Sequence, residues 1–145
     1  MKWVMFKSFL IIITFFPAII LGDTLKPLKE IISANKGAQT TLYGLIRCSA
    51  LHYASTAKMM SDPKAKELVE GGKKMADQFN FAANKVSKDL NIKMSKEQIL
   101  ENITNIIEEY DKTWKKNYAK TGQDWGEITF EDLKVCSVLH AAITG

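Results

Sequence analysis

Beyond residue 24 the apolar positions of this chain recur at steps of three and four, and alternation at a period of two is scarce. Such spacing puts apolar side chains on one face of a helix, so the pattern predicts an all-α fold. Leu25, Leu28, Ile31 and Ile32 form a short stripe over residues 25–34, with Pro27 in the first turn, where its missing N–H costs no helical bond. Leu42, Leu45, Ile46, Ser49, Tyr53, Ala57 and Met60 define a longer helix over residues 38–61. Asp62-Pro63 ends it and opens the next, because proline disfavours helical geometry in the residue before it and Asp62 can cap the amides that follow. Leu68, Val69, Met75, Ala76, Phe79, Ala82, Ala83, Val86 and Leu90 carry that helix to residue 90, and Gly71-Gly72 within it points to close packing or a kink.

Ser95 and Gln98 have the spacing of a capping box, and Ile99, Leu100, Ile103, Ile106, Ile107, Tyr110, Trp114 and Tyr118 make the clearest stripe in the chain. Glu97, Glu101, Glu108 and Glu109 precede Lys112, Lys115, Lys116 and Lys120, an order that compensates the helix dipole at both ends, and Gly122 can terminate the helix. Trp125-Gly126 then reads as a loop, and Thr129 precedes a last short helix bearing Leu133, Cys136, Leu139, His140 and Ile143. Short connections between successive helices favour antiparallel neighbours, so the expected architecture is an up-and-down bundle of four main helices plus a short N-terminal helix, one domain over residues 23–145.

The first 22 residues follow another plan. Lys2 and Lys7 precede an apolar run over residues 8–21, and Gly22-Asp23 begins the polar chain, which is the three-part layout of a secretory signal peptide. Ile20 stands where a small residue is preferred before cleavage, so an uncleaved membrane anchor over residues 3–21 is the alternative. Against the anchor, the run is shorter than the roughly 20 residues a span needs, and Pro17 interrupts it. No cysteine follows for a lipid anchor, and no stretch after residue 22 approaches a membrane span. A periplasmic or secreted protein is expected, in a compartment where paired thiols oxidise.

Composition narrows the function. With 145 residues, 46% of them hydrophobic, the chain has room for one core and little for separate cofactor and substrate lobes. Removing Lys2 and Lys7 with the leader lowers the net charge from +4 to +2. The remaining lysines alternate with acids, as in Lys64, Lys66, Glu67, Glu70, Lys73 and Lys74, so they read as solvated helix faces rather than a phosphate-binding stripe. Nucleic acid is therefore not an expected partner.

The chemistry-bearing residues concentrate in two near-identical pentapeptides, Cys48-Ser49-Ala50-Leu51-His52 and Cys136-Ser137-Val138-Leu139-His140, which hold both cysteines and both histidines. Within a helix, Cys and His four residues apart share a face. The first expectation is a disulfide, Cys48–Cys136. If the two helices run antiparallel, cysteines level enough to bond send the imidazoles to opposite ends, about two turns or roughly 12 Å apart. The alternative is a zinc or copper site of Cys48, His52, Cys136 and His140, in which each cysteine stands level with the opposite histidine. Non-covalent haem between His52 or His140 and one of Met59, Met60, Met75 or Met94 is a further alternative, as is a thiolate nucleophile activated by its neighbouring imidazole. No hydrolase, phosphate-loop or dinucleotide motif accompanies the pairs.

Tyr110, Trp114 and Tyr118 share a helical face, as core or as the lining of a pocket for an apolar ligand. Asn102-Ile103-Thr104 matches a glycosylation sequon, but one set within a helix. Together these features suggest a small exported bundle, stapled by one disulfide, that binds or stabilises a small apolar ligand or an envelope protein and is not an enzyme.

Overall fold

The computed structural model describes residues 25–145. Residues 1–22, for which a signal peptide or an anchor is expected, lie outside the described residues. Five helices follow one another: α1 (Leu28–Ala34), α2 (Ala38–Met59), α3 (Lys66–Asp89), α4 (Lys96–Thr121) and α5 (Glu127–Thr144). Among the described residues there are no strands, and no helix is long and apolar enough to cross a membrane.

The helix boundaries follow from local chemistry. Pro63–Ala65 form a 3-10 turn before α3, and the Asp62 carboxylate accepts the Lys64 N–H there. Ser95 and Gln98 complete a reciprocal capping box at the start of α4. At its end Gly122 takes the left-handed conformation (φ 73°) and donates its N–H to the Tyr118 carbonyl, a termination glycine allows without strain. α5 begins earlier than the stripe suggests and is 18 residues long, because Thr129 lies inside its first turn, its N–H on the Gly126 carbonyl and its hydroxyl accepting the Trp114 indole N–H at 2.8 Å.

Directions alternate along the bundle. Ser49 bonds to Ala76 and Thr56 lies against Gly72, so α2 and α3 are antiparallel. Lys58 pairs with Asp124 at one end while Gly44 meets Leu139 at the other, so α2 and α5 are antiparallel as well. α2 packs against each of the other four helices. Every residue from Gly44 to Leu51 is buried, which leaves this stretch no solvated face and explains its uncharged composition apart from Arg47. The close approach expected at Gly71-Gly72 is found at the second glycine: a Cβ on Gly72 would stand 2.5 Å from the Thr56 hydroxyl.

Leu42, Leu45, Leu51, Phe79, Ile99, Ile103, Tyr110 and Trp114 are all core residues. Some stripe residues are instead exposed: Ala57, Met60, Leu68, Leu90, Leu100 and Tyr118. Each of them lies close to a helix end.

Candidate functional site

Cys48 and Cys136 form a disulfide, with Cα atoms 5.4 Å apart and both residues sealed in the core. The bond spans 88 positions, and closing so long a loop restricts the unfolded chain enough to stabilise the fold by about 2–4 kcal/mol. Both sulfurs are used in it, so while the bond is intact neither Cys48 nor Cys136 is available as a thiolate to join His52 and His140 around zinc or copper. Among the described residues no group of three or more His, Cys, Asp or Glu is placed to hold a metal ion. The same bond removes the thiolate nucleophile.

The two histidines meet a common neighbour. His52 stacks on Phe79 with ring centroids 5.7 Å apart, and His140 tilts against the same ring at 5.8 Å. Burial first, and then the nearby His140, hold the His52 imidazole below its ordinary value. His140 Nε2 shares a 2.8 Å hydrogen bond with Gln78 Oε1, in which the ring nitrogen must be the donor because the amide oxygen can only accept.

Asp132 on α5 and Arg47 on α2 form a buried polar centre that the apolar pattern did not point to. Arg47 Nη2 and Nε reach Asp132 Oδ2 at 2.5 and 3.0 Å, and the Tyr110 hydroxyl donates to that same oxygen. The other carboxylate oxygen accepts the Leu28 N–H at 2.7 Å, so Asp132 caps the first turn of α1 from another helix. Tyr43 meets Arg47 Nη1 at 3.3 Å. Burial opposes the charge on Arg47, yet the oxygens of Tyr110 and Asp132 hold its guanidinium above the usual value. Burial likewise pushes the Tyr110 phenol well up, against the pull of Arg47. A signal for Arg47 existed, since it is the one charged residue between Lys36 and Lys58. Asp132 stands four residues before Cys136 and so shares its inward face. This centre is buried, and it ties α1, α2, α4 and α5 together.

The aromatic stripe divides. Tyr110 and Trp114 are buried, with centroids 5.8 Å apart, whereas Tyr118 is exposed, so the three do not share one surface. Trp125 extends the stack from the loop, 6.2 Å from Trp114.

Open space lies elsewhere. A groove of about 860 Å³ runs between α3 and the end of α5, and its lining includes Gln78, Phe81, Ala82, Val86 and Ile143 with Glu70, Lys73, Lys74, Asp77, Lys85 and Asp89 around it. Phe81 is 73% exposed, an aromatic ring presented to solvent. The groove exists because α3 and α5 both pack on α2 and touch each other only lightly. A smaller cavity of about 210 Å³ sits between α1, α2 and α5, beside Ile32, Gly44 and Leu139. Neither imidazole lines either cavity. Sequence reasoning missed the groove because Phe81 falls off the buried stripe of α3 and looks, in the pattern alone, like an isolated surface residue.

Comparison of the chain with models of protein families, with curated proteins and with solved structures gives no match.

Proposed function

We propose that this chain is an exported, disulfide-stapled binding module that performs no covalent chemistry and takes a small, largely apolar ligand in the groove between α3 and α5. The observation that carries this reading is the groove, whose volume of about 860 Å³ is within the range of small-molecule sites and whose lining includes the apolar Phe81, Ala82, Val86 and Ile143. Export is supported by the charged start and apolar run of the first 22 residues and by a core disulfide, which persists in an oxidising compartment. Mass spectrometry of the protein recovered from the cell envelope or medium tests the reading in one measurement. The denatured mass should begin near Asp23 and lack two thiol hydrogens, and the native mass should exceed it by a releasable organic molecule. A chain beginning at Met1 and extracted only by detergent would make the module a tethered one. Free thiols with bound zinc or copper would overturn the proposal.

A further inference from the structure

We infer that the protein pairs with a second copy of itself, α3 against α3 in antiparallel, on a two-fold axis through Phe81. The pairing is independent of any small molecule in the groove. Phe81 is 73% exposed while Phe79 and Ala82 beside it are buried, so its ring stands on the outer side of α3, at the rim of the groove. Charge along that outer side is antisymmetric about the ring. Lys73 and Asp77 stand eight and four residues before it, Lys85 and Asp89 four and eight residues after it, and all four are exposed. A two-fold axis brings each residue before Phe81 level with the residue equally far after it in the other copy. Lys73 thereby meets Asp89 of the second copy, Asp77 meets its Lys85, and the symmetry repeats both contacts around a Phe81–Phe81 pair. A parallel, in-register pairing would set each of these charges against its like. Because the four charges cancel, the face is not repelled by its own image.

Local partners leave this complementarity in place. Lys85 bonds Asp89 at 2.6 Å with both side chains still largely exposed, and Asp77 keeps its charge and its second carboxylate oxygen while Oδ1 accepts the Tyr53 hydroxyl. Lys74 and Lys88 come level as like charges, and Glu70, one turn from Lys74, offsets them. The contact runs over about 24 Å of helix, from Lys73 to Asp89. Exposed ion pairs contribute little individually, so the ring contact supplies affinity while the charges set direction and register. The resulting dimer is weak and loosened by salt, and Ala82, Val86 and Ile143 on the inner side of the groove take no part in it.

Sedimentation equilibrium of the oxidised protein, stripped of small ligands, tests the pairing. At low salt it should show a monomer–dimer equilibrium that high salt shifts to monomer. Asp77→Lys faces Lys85 of the second copy twice over and should weaken association by about tenfold or more, whereas Lys74→Glu, which removes the like-charge contact with Lys88, should strengthen it. Lys73→Glu with Lys85→Glu, and separately Asp77→Lys with Asp89→Lys, should each give monomers, and an equimolar mixture of the two variants should recover a dimer. In a glutathione buffer Phe81→Cys should cross-link two copies, whereas Lys73→Cys, about 24 Å along the axis from its image, should not. Every altered position is exposed, and circular dichroism confirms that each variant is folded. A protein that stays monomeric up to about 1 mM overturns the inference and leaves the ligand reading of the groove untouched. A dimer indifferent to the charge variants, or cross-linked as readily through Lys73→Cys as through Phe81→Cys, overturns the axis at Phe81. A dimer with the expected responses stands whether or not an organic molecule is found in the native mass.

Discussion

Cys48–His52 and Cys136–His140 carry the same residue at four of five positions, yet α2 buries Ser49, Ala50 and Leu51 whereas α5 leaves Ser137 and Val138 exposed. The shared residues serve one purpose in common, the disulfide, and otherwise take their roles from their neighbours. α2 is surrounded by four helices, so each residue of its pentapeptide finds a partner: Ser49 donates to the Ala76 carbonyl at 2.9 Å, Leu51 is inaccessible, and His52 stacks on Phe79. α5 lies at the edge of the bundle, and there the same motif ends in an imidazole bonded to Gln78 beside an open groove. A motif therefore sets which residues share a face, and the packing around the helix decides how much of that face is used.

The sharpest difference lies one residue before each pentapeptide. Arg47 is a charge sealed at 1% exposure, and its counterpart Val135 packs at the edge of the core. Arg47→Met should destabilise by about 3–5 kcal/mol, because it leaves Asp132 charged and buried with no cation. Val135→Ala should cost less than about 2 kcal/mol, since only partly buried apolar contacts are lost. Urea unfolding midpoints measure both, and equal losses would mean that water reaches the Arg47–Asp132 pair.

The matched leucines and serines refine the comparison in smaller steps. Leu51→Ala should cost about 2–5 kcal/mol through lost burial and a residual cavity, and Leu139→Ala should fall below that range because the leucine is only partly buried. Equal costs would place α5 as deep in the core as α2. Ser49→Ala should lose about 0.5–1.5 kcal/mol with its hydrogen bond to Ala76. Ser137→Ala, at an exposed position, should stay within about 0.5 kcal/mol of the parent by thermal denaturation.

Much of this arrangement was legible in the chain because its physical causes are local. The capping box at Ser95 and Gln98, the Asp62-Pro63 break and the Gly122 stop act within a few residues, and the stripe through Ile99, Ile103, Tyr110 and Trp114 needs only the helical period. The disulfide followed from two cysteines, each on an inward face. What stayed hidden depends on distant partners. Asp132 looks like one more acid in Glu131-Asp132 until α1, α2 and α4 converge on it, and Tyr118 continues the period of its stripe yet is exposed. The groove was illegible for the same reason: it is a gap between helices, and a gap leaves no period in a sequence.

The smallest expected effect is the pH response of His52. His52 is held below its ordinary value of 6.5, chiefly by burial and secondarily by His140. The unfolded chain therefore takes up a proton at His52 more readily than the folded protein does. The resulting stability is fully present above pH 6.5 and is lost as pH falls through the lowered value of the folded state. His52→Phe, which keeps a ring against Phe79, should flatten the stability profile across that window, as measured by urea midpoints at closely spaced pH. His140→Gln removes only the secondary cause, so most of the acid-side slope should remain. If His140→Gln flattened the profile as fully as His52→Phe, the repulsion between the two imidazoles would outweigh burial, and the difference between the inner and the outer pentapeptide would vanish at its last residue.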